Sequence, residues 1–400
     1  MTRPRILQLV TGIAIGEQSG GAEQVALHVA LRLDPAAFER AVFVMRRYGS
    51  PAEAAWHARL AAAQVVVFGF GPPANGERAE LQRIWRDLWA CVSAFRPDVI
   101  NSHSERGDAL NVLVRLLHPA HPCAIRTMHT DQQWQTRPWT GRLFAQAVFP
   151  LACAREIAVS QAVRDVLERR PLARLLRKKS PLCYPAIDSA GLREAREARA
   201  RLRHDGGSAA ALPPGAPSGR PRVGIVGRLM PQKGHAFLLQ AVARLAEAHP
   251  IDLLVVGSGP LDADLQAQAA ALGIAERVHF LGHRRDVAAI LAHLDLLVSA
   301  SLWEGLPGAV LEAMVVGVPV IATDVSGSRE VVLPGQTGLL APPGRGDALA
   351  DALAYAIGHP ADMEAMARRA AELVGRFSVE EMAQAYAAVY RQALAGRQAG

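Results

Sequence analysis

"RVGIVGRLMPQKGHAFLLQAVARL", Arg222 to Leu245, reads as a strand, a turn and a helix in succession. "RVGIVGRL" is a β-rich apolar run, and "HAFLLQAVARL" repeats apolar residues at helical spacing. In doubly wound α/β sheets, ligands sit at the carboxyl ends of the strands. Here that end carries two cations, Arg228 and Lys233. The chain has 44 Lys+Arg but only three lysines: Lys178, Lys179 and Lys233. Two converging cations suit a diphosphate, and the compact, flexible ammonium can follow a phosphate whose charge changes. Gly227 and Gly234 keep the backbone clear around them.

The same alternation extends in both directions. In the first half "RILQLVTG", "RAVFVM", "VVVFGF", "DVINSH", "CAIRTMHT" and "EIAVS" read as strands separated by helical patterns. In the second half "IDLLVVGSG", "RVHFLG", "LDLLVSAS", "PVIATD" and "TGLLAPP" continue it. "RHDGGSAAALPPGAPSGRP", Arg203 to Pro221, is too rich in Gly, Ala, Ser and Pro to build a core and reads as a linker. The expected fold is α/β, with two Rossmann-like doubly wound parallel sheets facing a central cleft. The expected boundaries are residues 1–185 and 186–378, with a helix over 379–400 packing back on the first domain.

Composition narrows the class. Half of the 400 residues are hydrophobic and 20% are charged, which is a globular composition. No apolar run approaches the ~20 residues of a membrane-spanning helix, and "MTRPRILQLVTGIAIG" reads as a first strand with no signal-peptide cleavage site. Cys91, Cys123, Cys153 and Cys183 lack metal-knuckle spacing and read as core residues of a reducing compartment. A cytoplasmic location follows. Net charge is +7, with residues 1–180 carrying 24 Lys+Arg against 15 Asp+Glu. The excess is densest in "RDVLERRPLARLLRKKS", Arg164 to Ser180. It reads either as a solvated helix face or as a patch that meets an anionic membrane surface or a phosphorylated substrate. No aromatic residues interleave with these cations, which argues against nucleic acid.

Other strand ends carry candidates. "SASLWEGLPGAVLEAM" places Glu304 in a loop, Gly305, Leu306, Pro307 and Gly308 at a helix entrance, and Glu312 within the helix. Carboxylates accept hydrogen bonds from the hydroxyls of sugars and riboses; paired acid/base carboxylates are the rival use. "GIAIGEQSGGAEQ" puts Gly16, Gly20 and Gly21 before a helix whose amino terminus attracts anions. His103 and His129 each end a strand, and Asp131 either orients His129 or caps a helix. Asp324 or Ser328 in "TDVSGSREVV" reads as a helix cap. Asp262 and Asp264 serve a helix dipole rather than a metal.

In combination, "GRLMPQKG" (Gly227–Gly234), "EGLPGAVLE" (Glu304–Glu312), "GGAE" (Gly20–Glu23) and "VVGSGP" (Val255–Pro260) resemble the family-4 glycosyltransferases of the GT-B fold. The resemblance covers nearly the whole chain. It implies retaining transfer from a nucleotide-diphosphate sugar, with no cofactor and no required metal. By that pattern Arg228 and Lys233 hold the diphosphate, Glu312 binds the ribose, and Glu304 with the Gly305–Gly308 amides holds the donor sugar. His129 sits at the reacting face, Gly20 and Gly21 line the phosphates, and Gly282, His283 and Arg284 lie beside the base. The family's usual Gly-Gly before the later glutamate is Gly327–Ser328 here, which puts that loop's geometry in question.

The implied donor is UDP- or GDP-linked and the implied pathway is cell-envelope polysaccharide, lipopolysaccharide or glycolipid synthesis. The acceptor is unidentified; His103, Asp131 and Trp134 are its candidate contacts. Two rival readings are a GT-B sugar-nucleotide epimerase or hydrolase, and a sugar-nucleotide-binding protein without catalysis.

Overall fold

Twelve strands form among the described residues of this computed structural model, which are 3–15, 19–69, 71, 76–130, 138–187, 190–204 and 219–398. Six strands, β1 (Arg5–Val10), β2 (Glu39–Val44), β3 (Val66–Gly69), β4 (Val99–Ser102), β5 (Cys123–Met128) and β6 (Arg155–Ala158), pair in the order β3-β2-β1-β4-β5-β6. The other six, β7 (Arg222–Val226), β8 (Asp252–Val256), β9 (Val278–Gly282), β10 (Leu296–Ser299), β11 (Val320–Thr323) and β12 (Leu339–Ala341), pair as β12-β11-β10-β7-β8-β9. Every pairing is parallel. Read from the opposite edge, the second order repeats the first. Each sheet therefore reverses direction beside its first strand, which creates a switch point at the carboxyl ends of β1 and β7.

The strands are apolar on both faces because helices cover both. On one face of the first sheet, Ile6, Val99 and Ile125 pack with Tyr386 and Tyr390 of the helix Val379–Gln398. On the other face Leu7, Leu9, Phe43 and Ile100 pack with Ile84 and Leu88 of the helix Glu77–Phe95. In the second sheet Val223, Ile225, Val255 and Val298 pack with Leu238, Val242, Leu349 and Leu353. Full burial of one such aliphatic side chain contributes about 1.5–3 kcal/mol.

The chain divides into two compact units, Met1–Ala186 with Val379–Gly400, and Ile187–Ser378. The helix Ala190–His204 runs into the stretch read as a linker, and residues 205–218 lie outside the described ones. Gly16, Asp131 and Trp134 also lie outside them.

Helices over Pro138–Leu143 and Pro360–Leu373 are additions to the sequence reading. Each begins on a proline, which the first turn tolerates because its missing N–H has no acceptor there. Asp324 and Ser328 do not cap: the helix Ser326–Arg329 starts after Val325, Asp324 pairs with Arg329 at 2.5 Å, and Ser328 is buried inside the helix. Asp262 and Asp264 do occupy the first turn of a helix, Asp262–Ala271. All four cysteines are buried and none is in a disulfide, and burial pushes the thiols of Cys91 and Cys183 up to about 12.

Candidate active site

In the second unit the chain leaves β7, makes a short 3-10 turn over Pro231–Lys233 and enters the helix His235–Leu245. Gly234 joins turn to helix with φ of +64°, and a Cβ there would lie 2.0 Å from the Ala300 carbonyl oxygen. Only glycine permits that approach, so the turn is pressed against the loop after β10. Gln232 ties the same two loops. Its side-chain amide donates to the Trp303 carbonyl at 3.0 Å, and its own carbonyl accepts from the Leu302 N–H at 2.7 Å. Lys233 Nζ consequently meets Glu304 Oε1 at 2.5 Å, and the Ser301 hydroxyl donates to the same oxygen at 2.7 Å. Glu304 is only 6% exposed, and a carboxylate so placed needs those partners. Arg228 is exposed, and its guanidinium makes no ion pair or hydrogen bond with a described residue.

Glu312 lies in the helix Gly308–Val316. The Pro307 carbonyl accepts from the amides of Val310 and Leu311 at 3.1 and 3.2 Å, while the amides of Gly308 and Ala309 have no intrahelical acceptor. This end of the helix is positive. The Glu312 residue keeps part of its surface, yet burial pushes its carboxyl up to about 7. That carboxyl makes no hydrogen bond or ion pair with a described residue. A Cβ on Gly327 would fall 2.5 Å from the Gly305 backbone oxygen and 2.8 Å from the Glu304 backbone oxygen. The Gly327–Ser328 pair therefore keeps the one glycine that the Glu304 loop requires. Gly282 has φ of +64° and His283 is exposed; Arg284 is held by Asp286 through two hydrogen bonds of 2.8 and 2.7 Å.

The first unit builds a different kind of site. His103 follows β4 and His129 follows β5, and His103 Nδ1 lies 3.0 Å from His129 Nε2. His103 Nε2 lies 2.8 Å from Gln8 Oε1 of β1. Burial holds His103 well below the usual imidazole range, with His129 adding to the effect, and burial holds His129 down to about 4. Both rings are neutral at physiological pH. Gln8 and Asn101 donate through their side-chain amides to the Tyr390 hydroxyl, each at 2.9 Å. At the amino terminus of the helix Gly21–Arg32, the Gly20 N–H donates to Glu23 Oε2 at 3.1 Å, so that amide is already engaged.

A cavity of about 360 Å³ opens at the first sheet's switch point. Thr11, Met45, Arg46, Ser104 and Arg106, from the ends of β1, β2 and β4, line it. Ser104 is the chain neighbour of His103.

The structure thus brings Lys233 to Glu304 and His103 to His129. It places Arg228, Glu312 and the Gly305–Gly308 amides on loops and a helix that follow β7 and β10. It sets Gly282, His283 and Arg284 after β9. Sequence reasoning missed Ser301 and Gln232, which position the Lys233–Glu304 pair. It also missed Gln8, Asn101 and Tyr390. The available signal was a polar residue at a buried position of an apolar strand: Gln8 in "RILQLV" and Asn101 in "VINS".

Two parallel doubly wound sheets with this order define the GT-B class of glycosyltransferase fold. The UDP- and glucose-bound structure of Anabaena HepE matches with a TM-score of 0.76 at 21% identity, covering 98% of this chain and 100% of that one. The family model "Glycosyltransferase Family 4" matches residues 19–189, and "Glycosyl transferases group 1" matches residues 220–359. The chain belongs to the family-4 glycosyltransferases. It is 37% identical over 180 residues to the 2-deoxystreptamine glucosyltransferase of Streptomyces kanamyceticus, 44% of this chain and 46% of that one. It is 34% identical over 177 residues to the lipopolysaccharide core biosynthesis mannosyltransferase LpsB of Rhizobium meliloti, 42% of this chain and 50% of that one. The chain thus spans about half the length of these relatives.

Proposed function

We propose that this protein transfers a sugar, with retention, from a nucleotide-diphosphate sugar to an acceptor hydroxyl in cell-envelope polysaccharide, lipopolysaccharide or glycolipid synthesis. The carrying observation is the second unit's switch point: an exposed Arg228 and a half-buried Glu312, neither with a side-chain partner among the described residues, and a Lys233 held on Glu304. Arg228 and Lys233 hold the diphosphate, Glu312 accepts from ribose hydroxyls, and Glu304 with the Gly305–Gly308 amides orients the donor sugar. Gly282, His283 and Arg284 lie beside the base, and Gly20 and Gly21 line the phosphates, where the absence of side chains lets them approach while the Gly20 amide stays on Glu23. His129 accepts from a sugar hydroxyl at the reacting face.

In the reaction the bond from the anomeric carbon to the diphosphate oxygen breaks, and a bond to the acceptor oxygen forms on the same face. The acceptor's hydroxyl proton passes to the departing diphosphate, the base nearest that face. Negative charge grows on the diphosphate, and fixed cations and helix-end amides stabilise it without a divalent ion. The cavity beside His103 holds the acceptor. HepE carries UDP and glucose in its crystal structure, and LpsB is named for lipopolysaccharide core synthesis; both favour this substrate class.

No described helix is long and apolar enough to cross a membrane. For an acceptor at the inner face of the cytoplasmic membrane, Arg174, Arg177 and Lys179 stand exposed beside Leu175 and Leu176. Sedimentation with anionic liposomes at low salt tests this contact, and absence of binding removes it.

A thermal-shift screen against UDP-, GDP- and ADP-sugars tests the donor. Saturation at 100 times Kd adds about 2.7 kcal/mol. The reading fails if no nucleotide sugar raises the melting temperature, and its metal-independent form fails if EDTA abolishes transfer.

A further inference from the structure

We infer that Gln8, Asn101, Thr127, Tyr386 and Tyr390 are positioning residues: they fix the proton of His103, and through it that of His129, so that His129 carries hydrogen on Nε2 and offers a bare Nδ1 to a sugar hydroxyl. The inference rests on the reading above only for the use made of His129.

The direction of each hydrogen bond follows from its neighbours. The Tyr386 hydroxyl donates to Thr127 Oγ1 at 3.4 Å, and Thr127 donates to Asn101 Oδ1 at 3.1 Å. That orients the Asn101 amide. Its nitrogen then donates to the Tyr390 hydroxyl at 2.9 Å and to Gln8 Oε1 at 3.3 Å. Gln8 is oriented in turn: its nitrogen donates to Tyr390 at 2.9 Å, which leaves Oε1 facing His103. An amide oxygen only accepts, so His103 must carry its hydrogen on Nε2. A neutral imidazole has one N–H, so His103 Nδ1 is an acceptor. His129 Nε2, 3.0 Å away, must then be the donor. The lone pair left to His129 is on Nδ1. Asn101 Nδ2 also lies 3.1 Å from His103 Nε2, but its two hydrogens already have acceptors.

The polarity therefore runs from a tyrosine hydroxyl of the last helix to an imidazole after β5. Gln8, Asn101 and His103 are each no more than 3% exposed, and Thr127, Tyr386 and Tyr390 no more than 1%. Water does not compete for these bonds. A proton misplaced on His129 would present a donor to the hydroxyl instead of an acceptor.

Long-range ¹H–¹⁵N correlation on the full-length, histidine-labelled protein tests this, with the His129 signal assigned by its loss in His129→Gln. The expected wild-type spectrum shows His129 protonated on Nε2 and bare on Nδ1. Gln8→Met removes the acceptor while keeping bulk, and His129 is expected to shift from predominantly Nε2–H toward Nδ1–H. Should that variant not fold, Tyr390→Phe, which releases the Gln8 amide to rotate, is expected to give a mixture. A wild-type His129 protonated on Nδ1, or a tautomer unmoved by whichever of these variants folds, overturns the inference. Unimpaired sugar transfer by His129→Gln would instead overturn the role given to His129 and leave the tautomers standing.

Discussion

At the carboxyl ends of β1, β4 and β5 the first unit sets Gln8, Asn101, His103 and His129 in an uncharged, buried hydrogen-bond network. At the corresponding ends of β7 and β10 the second unit sets Lys233 against Glu304 and leaves Arg228 exposed. Strand order is the same in both sheets. The difference lies in the few residues that follow each strand, so topology locates a site and loop chemistry decides what it does. An ionic site suits a diphosphate whose charge grows during reaction. A neutral, pre-oriented one suits hydroxyl groups.

The largest test of this contrast is Lys233→Ala. It is expected to lower kcat about 10²–10³-fold, as loss of a preorganised electrostatic contact does. It also strips Glu304 of its charged partner, at a stability cost of about 1–3 kcal/mol. The double variant Lys233→Ala/Glu304→Ala should recover the melting temperature but not turnover. Retained kcat in the single variant would erase the contrast between the units.

Next, Arg228→Ala should lower turnover about 10–100-fold, the worth of one charge-assisted hydrogen bond of about 1.5–3 kcal/mol. Its melting temperature should not move, because the guanidinium has no partner among the described residues. A melting loss would show a contact that the structure does not have.

A pH series separates the units more finely. Glu312, pushed up to about 7, changes charge near neutrality, whereas His129, held down to about 4, stays neutral. Affinity for the nucleotide sugar that the thermal-shift screen identifies should fall about tenfold from well above pH 7 to one unit below it, and Glu312→Gln should flatten that profile. Linkage gives the accompanying stability change. The folded carboxyl keeps its proton above the ordinary value of 4.5, so its contribution to stability is full below 4.5 and declines as pH rises through 7. Glu312→Gln should therefore raise the ligand-free melting temperature at pH 8 and leave it unchanged at pH 4.

The smallest expected effect is Tyr390→Phe, about 1 kcal/mol from lost hydrogen bonds. Calorimetry at low and high salt should give the same loss, because these groups are neutral and buried. A salt-dependent loss would place a charge in the first unit's network.

The twelve strands were legible because buried parallel strands are near-continuous apolar runs, and these end on residues that turn the chain. The ionic site was legible for a related reason. Arg228, Lys233, Glu304 and Glu312 sit within short, glycine-bounded stretches, and an isolated lysine in an arginine-written chain stands out. Residues whose roles depend on distant partners were not legible. Gln8 and Tyr390 are 382 positions apart, and nothing in either neighbourhood announces the other. Ser301 and Gln232 look like ordinary loop residues until Gly234 presses one loop on the other. Pairing of His103 with His129 needed the register of β4 on β5, which periodicity does not supply.

The helix Val379–Gln398 belongs to the first unit although the second, Ile187–Ser378, is continuous in the chain. Vectorial synthesis then inverts the usual order, in which the amino-terminal domain matures first. A ribosome finishes the whole second unit before Tyr386 and Tyr390 emerge to seal the first sheet. Until then that face of the nascent first sheet is covered only in part, by Val25 and Val29 of the helix Gly21–Arg32, and the remaining apolar surface is of the kind a holding chaperone binds.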